Sequence, residues 1–172
     1  MEIPDAIVKR KCIRAFTDRD LSDAEIVTLV EAAVRAPSAG NMQPWGFVAV
    51  KSREVKARLS EAAKQPWMAS APVVFVVCTE AARTAPRYGE RGTSLYMFHD
   101  TAAAVEHILL TAAGNGLGGT WMGAFDEAAV SGILSLPLGL RPVAMVPVGY
   151  PAQDPAPRPR RPVSEVLHWE KW

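Results

Sequence analysis

Apolar residues recur at two different spacings along this chain, and the changes of spacing divide it into elements. Ile26, Leu29, Val30 and Ala33 follow the three-and-four-residue rhythm of a helix. Ser22 with Glu25 three residues on matches a capping box ahead of them, and Pro37 stops the pattern. A helix ending at Ala36 is predicted. Residues 37–44 (PSAGNMQP) hold two prolines, a glycine and small polar side chains, so they form a loop. Residues 46–51 (GFVAVK) alternate and read as a strand, and Ser52 caps a short surface helix over REVKARLSEAAK. Residues 71–78 (APVVFVVC) are apolar on both faces and valine-rich, the pattern of a strand buried mid-sheet.

The second half continues in the same two rhythms. Residues 94–115 are rich in Ala and Leu, contain no proline and run into GNGLGG, which predicts a long central helix with a glycine stop. GTWMGAF reads as a strand or extended segment, and Asp126 caps a short helix to about Leu134. Residues 141–149 form another strand, whose Pro142 and Pro147 predict an edge position or bulges. Residues 151–162 are too proline-rich for a core element and predict a stiff arm lying along a surface. No internal repeat is present. The fold class is α+β, in one domain over residues 1–172.

Composition narrows what such a fold does. Nineteen Lys and Arg against eighteen Asp and Glu leave a formal charge of +1, which gives no bulk field toward nucleic acid or an anionic membrane. No apolar run approaches the roughly 20 residues that span a bilayer. The first residues, MEIPDAIVKRK, place acids before bases, the reverse of an export signal. Two cysteines in a chain of 172 residues imply no disulfide framework. A cytoplasmic protein without membrane or nucleic-acid partners is expected.

Two groups of cations carry candidate chemistry. Arg10, Lys11 and Arg14 lie within five residues around Cys12, and Arg158, Arg160 and Arg161 stand in the arm with no acid among them. Guanidinium forks match phosphate oxygens, so the two groups brought together would make a phosphate site; held apart they are solvated surface charges. GNGLGG follows a helix instead of a strand, which rejects a dinucleotide-binding fingerprint and favours a helix stop. His99, His107 and His168 have no metal-ligand spacing and read as structural residues. Ser38 lacks a nucleophile-elbow motif, and Cys12 in its basic turn is more often an ordinary small residue than a reactive thiol. Binding groups without a catalytic team of side chains suit chemistry carried by a cofactor.

Residues 10–16 (RKCIRAF) and 36–45 (APSAGNMQPW) resemble the two N-terminal signatures of the FMN-dependent nitroreductase family. APVVFVVC, residues 116–126 (GLGGTWMGAFD), residues 148–151 (VGYP) and residues 160–169 (RRPVSEVLHW) extend the resemblance, in order, over almost the whole chain. It implies a nitroreductase-like fold: a mostly antiparallel sheet flanked by helices, with a long central helix and a C-terminal arm exchanged in a homodimer. Two FMN sites would each be built from both chains. In that arrangement Arg10, Lys11, Cys12 and Arg14 form the strip for the phosphate and ribityl chain, and Arg158 and Arg160 complete the clamp. Pro37, Ser38, Ala39 and Asn41 would come from the second subunit. Gln65 would reach the pyrimidine edge, and the backbone of Met122, Gly123 and Ala124 would face the ring near N5.

The activity implied is ping-pong transfer of hydride from NADH or NADPH, through FMN, to nitroaromatic or quinone acceptors, with no side chain as acid or base. A specialised flavoenzyme of the same fold (an oxidase, dehalogenase or flavin-fragmenting enzyme) and a non-catalytic flavin-binding dimer are the alternatives. The chain departs from the family at Cys12, where serine is usual, and at Lys11, where arginine is frequent. A thiol is the weaker hydrogen-bond donor. The chain is also short and lacks the insertion that roofs the site in longer members.

Overall fold

A computed structural model describes residues 3–172. Its centre is a four-stranded sheet of β1 (Trp45–Val50), β2 (Val73–Glu80), β3 (Gly118–Gly119) and β4 (Leu140–Gly149), in the order β1-β2-β4-β3 with every pair antiparallel. β2 lies mid-sheet as its two-sided valine pattern predicts, and residues 73–79 are all buried.

Alternate residues of the sheet feed two separate cores. Val73, Phe75, Val77, Val146 and Val148 face α2 (Asp23–Ala33) and α5 (Met97–Gly114), meeting Leu29, Val105, Ile108 and Leu109. Val74, Val76, Cys78 and Met145 face the other way, onto Leu59 of α3 (Arg53–Ala62), Met68 and Val130 of α6 (Glu127–Leu134). Period-two alternation thus gives a sheet with helices on both faces.

The predicted caps form. The Ser22 side chain accepts from the Glu25 amide while Glu25 accepts from the Ser22 amide at 2.8 Å, and Asp126 Oδ1 accepts from Ala129 N at 2.9 Å. α5 ends at Gly116 (φ 74°), where Leu117 N donates to Ala112 O at 2.8 Å and Gly116 N to Ala113 O at 3.3 Å, a Schellman stop.

Several placements and boundaries differ from the sequence pattern. β4 is not an edge strand. It runs between β2 and β3, and its prolines are absorbed in two ways. Pro142 sits at a bulge where Val77 pairs with Ala144 but Cys78 pairs with Pro142. Pro147 pairs with Val74 on one side, while its carbonyl accepts from Thr120 N on the side where β3 has already ended, so its missing N–H breaks no ladder. The long helix starts at Met97, later than Ser94, because residues 92–96 form a π-helical turn after a further helix, α4 (Ala81–Arg91), that the sequence reading passed over. α2 ends at Ala33 and turns through residues 34–36. Of GTWMGAF, only Gly119 lies in a strand, with Met122 bridging to Met145 beyond it. The arm lies on its own chain only through its first residues, Pro151 to Asp154. From residue 156 onward every residue is exposed, including Trp169 and Trp172. α1 (Ile3–Lys9) precedes the cationic strip. No helix among the described residues is long and apolar enough to cross a membrane.

Candidate functional site

The cationic strip is fastened at one end of the sheet by backbone hydrogen bonds. Ile13 N donates to Gly119 O at 3.1 Å, Thr17 N to Tyr150 O at 2.9 Å, and Ala152 N to Ala15 O at 3.0 Å. Thr120 Oγ1 adds a bond to Ile13 O at 2.7 Å. Extended backbone alternates, so Ile13 turns inward against Gly118, where a Cβ would overlap the Ile13 side chain, while Cys12 and Arg14 turn outward and are exposed. Arg10 pairs with Glu106 of α5 at 3.6 Å, and Lys11 with Asp154 at 2.5 Å. Lys11 therefore holds the root of the arm, and with Arg10 it lines a cleft of about 470 Å³ floored by Ile13, Leu109 and Leu117.

Trp67, which the sequence reading did not single out, joins two predicted site residues. Its indole N–H donates to Gln65 Oε1 at 2.7 Å, and the Arg14 guanidinium lies 6.0 Å from its ring centroid. Gln65 itself is anchored by its main chain, its N–H donating to Ser60 O at 3.0 Å and its carbonyl accepting from Ser60 Oγ at 2.6 Å. Trp67 also packs on the apolar cluster that contains Met122. Met122 is fixed by a reciprocal pair of 2.9 Å bonds with Met145. The next two residues, Gly123 and Ala124, are exposed, and their amides donate to no acceptor among the described residues. The structure thus gathers Arg14, Gln65 and Met122–Gly123–Ala124 around one cluster, with Arg10, Lys11 and Cys12 continuing the strip.

The loop of Pro37, Ser38, Ala39 and Asn41 lies at the opposite end of the sheet. Three of its residues have positive φ: Gly40 (55°), Asn41 (58°) and Gln43 (50°). For Asn and Gln that conformation is strained and needs outside support. Support comes from side chains. Ser38 Oγ accepts from Gln43 N at 3.0 Å, Asp100 Oδ1 of α5 accepts from Ala39 N at 3.0 Å, and Arg83 Nε of α4 donates to Met42 O at 3.0 Å.

Asp100 is the second functional residue missed. It is buried, its Oδ2 has no partner among the described residues, and burial raises its pKa above the ordinary carboxylate value. Its signal was present: Asp100, Ala104 and Ile108 fall four apart on the buried stripe of α5, where an acid is out of place.

The structure does not bring the loop to the strip. The loop joins the end of β2 at Glu80, whose N–H donates to Pro44 O at 2.8 Å, whereas the strip joins Tyr150 beyond the far end of β4. The length of β2, eight residues, separates them by about 25 Å. Arg158 and Arg160 are exposed and make no bond or ion pair to Arg10, Cys12 or Arg14. No group of His, Cys, Asp and Glu among the described residues has metal-binding geometry. His107 is structural as expected, with Nδ1 2.9 Å from Ala32 O.

Comparison with known proteins places this arrangement. The family model described as Nitroreductase family matches residues 7–67 and 62–150. A protein of Archaeoglobus fulgidus, provisionally named NADH dehydrogenase/NAD(P)H nitroreductase, is 34% identical over 96% of both chains. A Bacillus subtilis protein named FMN reductase (NADPH) is 29% identical over 95% of this chain and 72% of its own length. The solved NADPH:FMN oxidoreductase of Vibrio harveyi, complexed with NAD+, superposes with a TM-score of 0.90 at 26% identity, covering 99% of this chain and 77% of that one. The architecture is that of the nitroreductase-like α+β oxidoreductases. The chain belongs to the nitroreductase family.

Proposed function

We propose that the protein is an FMN-dependent NAD(P)H oxidoreductase whose site is completed by a second copy of the chain. The observation that carries this reading is the separation of its two halves. The strip with Gln65 stands at one end of the sheet, residues 122–124 run beside the middle of β4 from Met145 onward, and the loop of Pro37, Ser38, Ala39 and Asn41 stands at the other end. One chain cannot fold these halves together, but two chains related by a two-fold axis, with their α5 helices crossing, would set each loop against the other's strip.

The residues present fit the cofactor. Arg14 and Cys12 face outward, suited to a phosphate and its sugar-alcohol chain. The Gly123 and Ala124 amides are available as donors, and a Cβ built on Gly123 meets nothing within 4 Å. A planar ring can therefore approach the backbone there. Gln65, oriented by Trp67, offers an amide to a ring edge. The chemistry supplied by bound FMN is two-electron transfer at N5, from NADH or NADPH to a nitroaromatic or quinone acceptor in ping-pong order. The chain's own residues hold, orient and shield; none is assigned a proton. Arg158 and Arg160 reach a phosphate once the arm, free of its own chain beyond its first residues, crosses onto the partner.

The absorption spectrum of the purified protein tests the reading. A yellow protein that releases FMN near one per chain is expected, and a colourless protein that refuses added FMN overturns it. Arg10→Ala with Arg160→Ala should release the flavin from a protein that stays folded; stoichiometric FMN retained in that variant removes the clamp assignment.

A further inference from the structure

The helix missing from the sequence reading, α4, carries arginines at 83, 87 and 91 beside the strained loop. Arg83 is committed to Met42 O and stands 3.9 Å from Glu80. Arg87 and Arg91 are exposed and make no ion pair among the described residues, yet aromatic rings hold both in place. The Arg87 guanidinium lies 5.4 Å from the Tyr88 ring centroid. Arg91 Nε donates to Tyr96 Oη at 2.9 Å, and its guanidinium lies 5.3 Å from that ring.

The two rings meet edge to face at 5.1 Å and 83°, because Gly89 breaks the helix (φ 51°) and the π-helical turn of residues 92–96 brings Tyr96 back over Tyr88. Gly40 completes the patch. A Cβ there would stand 2.9 Å from Arg87 Nη1 and 2.5 Å from Tyr88 Oη, so those side-chain ends would have to shift to admit one, and the positive φ of 55° itself favours glycine.

Two unneutralised guanidinium groups, each oriented on a ring, with Arg87 lying against the loop at Gly40 and Arg91 tied to Tyr96, match an anion presented beside that loop. We infer that Arg87 and Arg91 bind the phosphates of the nicotinamide dinucleotide donor, with Tyr88 and Tyr96 as the platform that aims them. The inference rests on the preceding reading, which puts residues 37–41 at the flavin. The hydride donor must lie against that ring, and its phosphates extend from there toward α4. A neutral quinone carries nothing for these cations to hold, so they act on the donor alone.

The test is Arg87→Gln with Arg91→Gln in the full chain, leaving Arg83 to hold the loop. Equilibrium binding of NADPH, NADH and inorganic pyrophosphate is measured by anaerobic calorimetry with the flavin already reduced by dithionite, so that no hydride transfer follows binding, and KM is measured for NADPH and for a neutral quinone. The Kd for NADPH should rise about tenfold, the loss expected for charge-assisted bonds to phosphate. Pyrophosphate binding should weaken with it, while FMN content and the quinone KM stay unchanged. A variant that binds NADPH within about twofold of the wild type overturns the inference, as does a wild-type protein that binds none of the three. A colourless protein that still loses NADPH affinity with these arginines would overturn the flavin reading and leave this one standing. A yellow protein indifferent to their loss would do the reverse.

Discussion

The two ends of the sheet are held by different means. At the end where β4 leaves the sheet, residues 10–17 are laced to Gly119, Tyr150 and Ala152 by main-chain hydrogen bonds, to which the Thr120 hydroxyl adds a bond to Ile13 O and Lys11 an ion pair with Asp154. At the other end, residues 38–43 close on themselves through two short main-chain turns and the Ser38 hydroxyl, and are tied to the rest of the fold by the Asp100 carboxylate and the Arg83 guanidinium, side chains from α5 and α4; the backbone they restrain is strained. A backbone-held segment tolerates side-chain change if its packing permits the strand to sit down. A side-chain-held loop stands or falls with single residues. The difference matters because the proposed site needs both segments in register, one from each chain.

Packing is where the backbone-held end is vulnerable. Gly118→Ala places a Cβ into the Ile13 side chain, so the strip must move outward or Ile13 must leave its rotamer. A loss of about 1–3 kcal/mol in unfolding free energy is expected, from the overpacking range. Ile13→Ala in the same chain removes the clashing Cγ1, so the double variant should lose less than the two single losses added together. Denaturant unfolding of the single and double variants measures both. A Gly118→Ala variant as stable as the wild type would mean that the strip is not seated through this contact.

This contrast also explains what was legible in the sequence. β2, the Ser22 and Asp126 caps and the glycine stop of α5 were readable because each is encoded by neighbouring residues and a fixed period. The strip and loop were readable as motifs, and the resemblance they carry was to the family the chain belongs to. Their supports were not. Asp100 acts on Ala39 across 61 positions, Trp67 orients a glutamine and an arginine from different elements, and α4 hides Pro86 in a helix that composition argues against. The prolines of β4 signalled an edge position or a bulge alike, and the bulge at Pro142 is the one that forms. The arm was expected to cover a surface, yet from residue 156 onward every residue is exposed.

Asp100 is the sharpest probe of the side-chain-held end. Asp100→Asn keeps an oxygen for the Ala39 amide and removes a charge that burial disfavours, so stability should hold or rise. Asp100→Ala leaves that amide without its partner and should cost about 1–3 kcal/mol. The pH dependence has a definite sign. A carboxyl whose folded pKa is raised stabilises the fold most at low pH, below its unfolded value, and that contribution is lost as pH rises through the folded pKa. Thermal unfolding of the wild type and Asp100→Asn across pH 4 to 8 should therefore converge toward the acid side. Curves that run parallel would show that Asp100 does not titrate differently on folding.

The smallest effect belongs to a side-chain tie at the backbone-held end. Glu25 accepts from the Tyr150 hydroxyl and from Ser22, which lowers its pKa to about 2. The sign is opposite to that of Asp100. The Glu25 contribution is present above its unfolded pKa, near 4.5, and is lost as pH falls toward about 2. Glu25→Gln should remove that contribution at neutral pH, a small loss because the carboxylate is screened by solvent, and should flatten the acid limb so that the variant and the wild type converge toward pH 2. Its FMN retention should be unaltered. Were Glu25→Gln instead to release flavin at neutral pH, the strip would depend on this side chain as the loop depends on Asp100, and the two ends would be held by one and the same means.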